Sequence, residues 1–242
     1  MKPFYIVAGL CSFVAGPVAA QDALEEVRLF QSFFEEGTIA PATLVNPGLT
    51  FSDFDGGSIF TVGAQAAVPL TPLFELGMDL NFASINPDGG SGDSGLTDLG
   101  VSGHYKVLDE LTQVSVGGSL TLPIGSEDIG QGDVDFGMFG ALRHPVRDNM
   151  ALAGMVGIDF VERGSDRDAG LQVGGGLIYR TEGNINIVSE LRIETEGDYA
   201  GLSGGLDYET DGGGRVRGGL LIGLDDGAPD LGLLASMLFF FR

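Results

Sequence analysis

The sequence predicts an all-β protein, an antiparallel transmembrane β-barrel of about twelve strands with a short N-terminal helical segment. The first observation behind this is alternation. In Leu111–Gly125, Val114, Val116, Gly118, Leu120 and Leu122 share one face, and Gln113, Ser115, Gly117, Ser119 and Thr121 share the other. A strand's period of two produces that sorting, and a helix would mix the two sets. The second is the placement of charge. One face of each later strand is uncharged, as in Leu152, Gly154, Val156, Ile158 and Phe160, while the opposite face carries the ionisable residues. The third is glycine, 41 of 242 residues, against a usual ~7%. Without a period-three repeat, so much glycine suits a curved, crowded barrel wall and disfavours helices.

Residues 1–20, MKPFYIVAGLCSFVAGPVAA, combine Lys2, an apolar run and a small-residue ending at Val18-Ala19-Ala20. This reads as a secretory signal peptide with cleavage expected after Ala20. It contains Cys11, the single cysteine of the chain. The mature protein is therefore expected to carry no disulfide, thiolate metal site or cysteine nucleophile. The formal net charge is −22 and becomes one unit more negative without Lys2, which excludes nucleic acid as a partner. Residues 21–37, QDALEEVRLFQSFFEEG, have helical character, with Leu24, Val27, Phe30 or Gln31, and Phe34 near one face. They are expected to form a periplasmic helical segment.

Residues 38–242 are expected to form the barrel. The strands begin near Leu44–Asp53 and Ser58–Leu70 and end with Leu231–Phe241. Short connections (Thr71-Pro72, Asp109-Glu110, Pro145–Asn149, Thr181–Gly183, Glu209–Gly213) alternate with longer, acidic ones (Asn86–Gly95, Gly125–Gly132, Glu162–Arg167, Thr195–Asp198, Asp225–Asp230). In outer-membrane barrels the short turns are periplasmic and the long loops external, so with an even strand count both chain termini are expected on the periplasmic side. The lipid face is identified by cost. A one-residue slip would push the charges outward at about 2–4 kcal/mol per midplane base. Aromatics on the apolar face cluster at strand ends, with Phe74, Tyr105, Tyr179, Tyr208 and Phe241 at the short-turn end and Phe60, Phe82, Phe136 and Phe160 near the long loops. Two such girdles are what a membrane interface selects.

The segment Thr121–Asp135, TLPIGSEDIGQGDVD, resembles the central motif of the outer-membrane β-barrel transporter family of the phenol-degradation meta-pathway type, with Ile124 where that family carries Thr. The resemblance runs from about Ser58 to the C-terminus. It implies a barrel passing small, often aromatic or hydrophobic, molecules, with no catalytic residues to carry over. The last strand, LGLLASMLFFFR, also resembles the terminal signal read by the barrel assembly machinery, with Phe241 penultimate.

Alternation assigns a set of lumen-facing, pore-lining residues. Lys106, Arg143, Arg180, Arg215 and Arg217 fall near the short-turn ends, with Glu75 and Asp207 close by. Asp98, Asp135, Asp159 and Glu194 fall near the outer ends. Asp79, Glu190 and Arg192 lie on the same inner face. A basic ring would favour anions and an acidic mouth cations; alternatively the charges pair across the lumen. The acidic residues 21–37 could dock into the basic mouth as a plug, or remain peripheral. His104 shares its face with Ser102, but neither the Ser-x-His order nor a visible orienting partner points to nucleophilic catalysis. The sequence thus reads as a non-enzymatic outer-membrane channel for small solutes, porin-like, with no cofactor and no metal. Its expected partners are outer-membrane lipid and lipopolysaccharide, the assembly machinery and the solute. The alternative is a structural or adhesion barrel with a blocked lumen.

Overall fold

A chain in hydrocarbon must satisfy its own backbone N–H and C=O groups, and with strands alone it can do so only by closing the sheet. This chain does so. The computed structural model describes Leu24, residues 26–163 and residues 166–241; residues 1–20, including the expected signal peptide, lie outside the described residues. The strands are β1 (Thr43–Phe54), β2 (Gly57–Thr71), β3 (Phe74–Pro87), β4 (Asp93–Leu96), β5 (Leu99–Asp109), β6 (Gln113–Leu122), β7 (Asp135–Arg147), β8 (Met150–Arg163), β9 (Asp166–Arg180), β10 (Ile185–Glu194), β11 (Tyr199–Glu209), β12 (Arg215–Gly223) and β13 (Leu231–Phe241). All pairings are antiparallel, and twelve strands form the closed barrel. The short β4 is an addition, paired with β3 at the long-loop end from Phe82↔Leu96 to Ile85↔Asp93. Closure joins first strand to last, Thr43↔Phe241 through Asp53↔Leu231. That ladder skips Asn46 and Pro47, where proline has no N–H to donate.

The faces sort as alternation predicts. Outward side chains such as Met138, Val156, Leu206 and Leu220 are half exposed and apolar, the signature of a surface bathed in lipid. Phe136 and Phe160 stack on this surface with centroids 4.8 Å apart, and the Arg167 guanidinium lies 5.0 Å over the Phe136 ring. A base capping an aromatic pair at a strand end is what the membrane–water boundary accommodates. The barrel is a membrane-spanning one.

Two expectations are corrected. A long loop at Glu162–Arg167 is absent, because β8 and β9 keep pairing to Arg163↔Asp166. Over residues 26–37 the expected helix is also absent; Leu24 is helical, and residues 21–23 and 25 lie outside the described residues. Residues 26–42 run as turns, bends and irregular chain, and they lie inside the barrel. A helix needs its own carbonyls to satisfy its amides. Here the wall side chains and Glu36 supply many of the partners instead, freeing the apolar residues to point several ways.

The buried core consequently sits in the lumen. Leu24, Val27 and Leu29 pack on Ala151, Ala153, Ile178 and Val188. Phe33 and Ala40 pack on Leu44, Ala67 and Leu238, with Phe34 and Phe240 alongside.

Candidate functional site

The lumen is filled at its short-turn half by Leu24 and residues 26–40. The wall satisfies this segment's backbone from all sides, as buried polar groups require. Glu190 accepts hydrogen bonds from the amides of Phe30, Gln31 and Ser32 at 3.0, 2.8 and 2.8 Å. Glu75 accepts one from Ala40 N at 2.6 Å. In the other direction, Arg143 Nη1 donates to the carbonyls of Leu24 and Val27, both at 2.9 Å. Arg217 donates to the carbonyls of Arg28 and Leu29, Arg192 to that of Gln31, and Ser115 Oγ to that of Glu36. His104 Nε2 lies 3.0 Å from the Thr38 carbonyl.

Charge complementarity runs both ways. Glu36 holds Arg143 through two contacts of 2.7 and 2.8 Å, with the side chains 0% and 3% exposed. Arg28 pairs with Glu75 at 2.8 Å, equally buried. Glu26 reaches Arg215 at 3.3 Å and Glu35 reaches Arg192 at 3.4 Å. Asp207 completes the arrangement within the wall, 2.7 Å from Arg215 and 3.3 Å from Arg217. The Arg217 guanidinium also sits 4.7 Å over the Phe30 ring, a cation–π contact. Pairs this buried contribute little net stability against apolar replacements, but removing one partner costs about 3–5 kcal/mol because it strands the other.

Glycines on the inner wall make room. A Cβ on Gly77 would stand 2.7 Å from Phe34 Cε1, and one on Gly176 2.6 Å from Leu29 Cδ2. At these positions the absent side chain admits the segment's apolar residues.

The sequence-predicted lumen residues divide by depth. Glu75, Arg143, Glu190, Arg192, Asp207, Arg215 and Arg217 face inward; apart from Asp207, which holds two of the bases, all touch the segment. Lys106 and Arg180 stand apart near the short turns, paired with Asp109 at 2.8 Å and Glu209 at 3.3 Å. Asp79, Asp98, Asp135 and Asp159 line a cavity of about 470 Å³ on the long-loop side. Asp159 and Glu194 line a neighbouring one of about 450 Å³. Some of these acids also serve the loops: Asp98 accepts from Gly125 N and Gln131 N at 2.9 and 2.6 Å, and Asp135 from Glu162 N at 2.8 Å. Above the segment, then, lies an acidic vestibule.

Sequence reasoning raised docking of acidic residues 21–37 in the basic mouth, but it did not place Arg28, Gln31, Glu35 and Glu36 among the lumenal site residues. One signal could have exposed them. Leu44, Ala151, Ala153, Ile178, Val188 and Leu238 fall on the inner face near the short turns, where a water-filled lumen has no use for them.

With a closed barrel, an apolar exterior and a polar interior on the page, the comparison with known proteins is direct. The fold is that of outer-membrane channels. A COG4313 outer membrane channel from Pseudomonas putida F1 is 12% identical, with a TM-score of 0.72 over 88% of this chain and 100% of that one. The KdgM porin is 14% identical, with a TM-score of 0.60 over 82% of this chain and 99% of that one. The CymD monoaromatic hydrocarbon channel is 10% identical, with a TM-score of 0.50 over 93% of this chain and 92% of that one. No family model and no curated protein sequence matches the chain.

Proposed function

We propose that the protein is an outer-membrane channel that passes small solutes by passive diffusion, with residues 24–40 acting as an internal constriction. The observation that carries this is the occupied lumen: a polar interior with an acidic vestibule on the long-loop side and, below it, a segment held by side chains without any regular structure of its own. Asp79, Asp98, Asp135, Asp159 and Glu194 line the entry in this reading. Arg143, Arg192, Arg215, Arg217, Glu75, Glu190 and Asp207 set the position of the constriction, and Lys106 and Arg180 edge the inner mouth. An acidic mouth concentrates cations and disfavours anions. The resemblance of Thr121–Asp135 to meta-pathway transporters, and the likeness to a hydrocarbon channel, support small and partly apolar solutes as the cargo. The assembly signal in β13 and loop carboxylates able to bridge through divalent ions to lipopolysaccharide fit the same setting.

The two apolar clusters beneath the vestibule favour a second reading, a structural barrel whose lumen stays shut. Conductance in planar bilayers separates the two. Under the channel reading, deletion of residues 22–36 raises the current well above that of the full chain. A full-length protein that fails to conduct would refute it, whatever the deletion variant does.

A further inference from the structure

A third cavity, of about 260 Å³, lies beside the segment, between Phe30 and the inward faces of β13, β1, β2 and β3. Its chemistry differs from that of the vestibule. Its polar side chains are amides and hydroxyls: Asn46, Thr50, Thr61, Gln65, Asn81 and Ser236. No carboxylate lines it. The one charged lining residue, Arg217, is already matched by Asp207 and by the carbonyls of Arg28 and Leu29. An ion entering here would leave water for a site offering no free counter-charge, which is costly; a neutral polar guest escapes that penalty.

Two further observations point to a guest. Asn46 is 6% exposed; its Nδ2 donates to Gln65 Oε1 at 2.9 Å, while its Oδ1 has no hydrogen-bond partner among the described residues. A buried acceptor left unmet favours any guest that brings a donor. Asn81 lines both this cavity and the acidic vestibule, so the two adjoin. Toward the short turns the apolar cluster of Phe33, Leu44, Ala67 and Leu238 lies beyond it. The cavity is on the scale of a five-carbon polyol.

We propose that this cavity is a binding station for small uncharged solutes rich in hydroxyl or amide groups, selected inside the lumen against ions of the same size. The proposal rests on the channel reading above and goes beyond it, adding polar guests to the partly apolar cargo named there. The test is swelling of proteoliposomes carrying the full chain, in ribitol and in D-ribonate, which share a five-carbon skeleton and differ in charge. Ribitol should enter at least tenfold faster; because the acidic mouth also disfavours the anion, the variants of the cavity lining carry the test of the station itself. The double variant Asn46→Leu/Gln65→Leu should slow ribitol about fivefold or more, the worth of one lost hydrogen bond, and leave ribonate unchanged. Should the double variant fail to show the gel-mobility shift of a folded barrel, the isosteric Thr50→Val decides, with ribitol slowed and ribonate untouched. Equal entry of the two solutes, or ribitol uptake indifferent to these substitutions in folded protein, overturns the station while leaving the channel standing. Exclusion of both solutes and of ions by the full chain overturns the channel and the station with it.

Discussion

Glu36→Ala should free the lumenal segment. The carboxylate accepts from Arg143 Nη2 at 2.7 and 2.8 Å and from Leu29 N at 3.1 Å, with both ionic partners almost wholly buried. Truncation strands the Arg143 guanidinium and one backbone amide, an expected loss of about 3–5 kcal/mol. At 1.4 kcal/mol per decade the docked-to-released ratio falls on the order of 10²–10³-fold or more. None of that loss falls on the barrel's own ladders, so the wall should persist. The assay is single-channel recording in planar bilayers, with time in a high-conductance state as the readout and gel mobility before and after boiling as the check on the wall. Salt supplies a control. Going from 0.1 to 1 M shortens the screening length from about 10 to 3 Å. That weakens an exposed pair such as Arg167–Glu162, 36% and 35% exposed, but does little to Arg143–Glu36. Salt alone should therefore not mimic the variant. A folded Glu36→Ala barrel with wild-type current and wild-type open time would refute the reasoning.

Three further outcomes are expected. A Cβ on Gly174 would stand 3.4 Å from Ser32 Oγ and 2.9 Å from Met155 Cγ. Once the Met155 side chain gives way this is within reach of disulfide geometry, so Ser32→Cys/Gly174→Cys should cross-link on oxidation and suppress current until reduced; current indifferent to an established cross-link would count against the constriction. Gly176→Val places a branched side chain against Leu29 and should weaken docking by about 1–3 kcal/mol through overpacking, read as an intermediate rise in open time. Val156→Arg, at the middle of β8 on the lipid side, should destabilise the barrel by about 2–4 kcal/mol, seen as a lower urea midpoint for vesicle-inserted protein; an unchanged midpoint would contradict the assigned lipid face.

The wall was legible because the bilayer imposes one rule along every strand. Val114 through Leu122 and Leu152 through Phe160 alternate strictly because a charge on the wrong side is costly across the hydrocarbon core. The far ends of β8 and β9 were less legible, since Glu162, Arg163 and Asp166 look like loop residues yet continue the ladder. The lumenal segment was misread for a physical reason. Leu24, Val27 and Phe34 recur near helical spacing, but the amides of Phe30, Gln31 and Ser32 are claimed by Glu190, some 160 residues away. No local pattern encodes a competitor that distant. The charges of the inner face were readable as a set. Their partners were not, because Arg143 meets Glu36 only once the ring has closed around it.

That closing has a mechanical corollary. The segment is anchored on β3 through Glu75, on β7 through Arg143, on β10 through Glu190 and on β12 through Arg217, so its bonds radiate like spokes to well-separated points of the rim. A hollow cylinder built with so much glycine would flatten readily under lateral pressure from the surrounding lipid, and cross-bracing of this kind keeps its section round. Losing the spokes should therefore both widen the bore and soften the hoop.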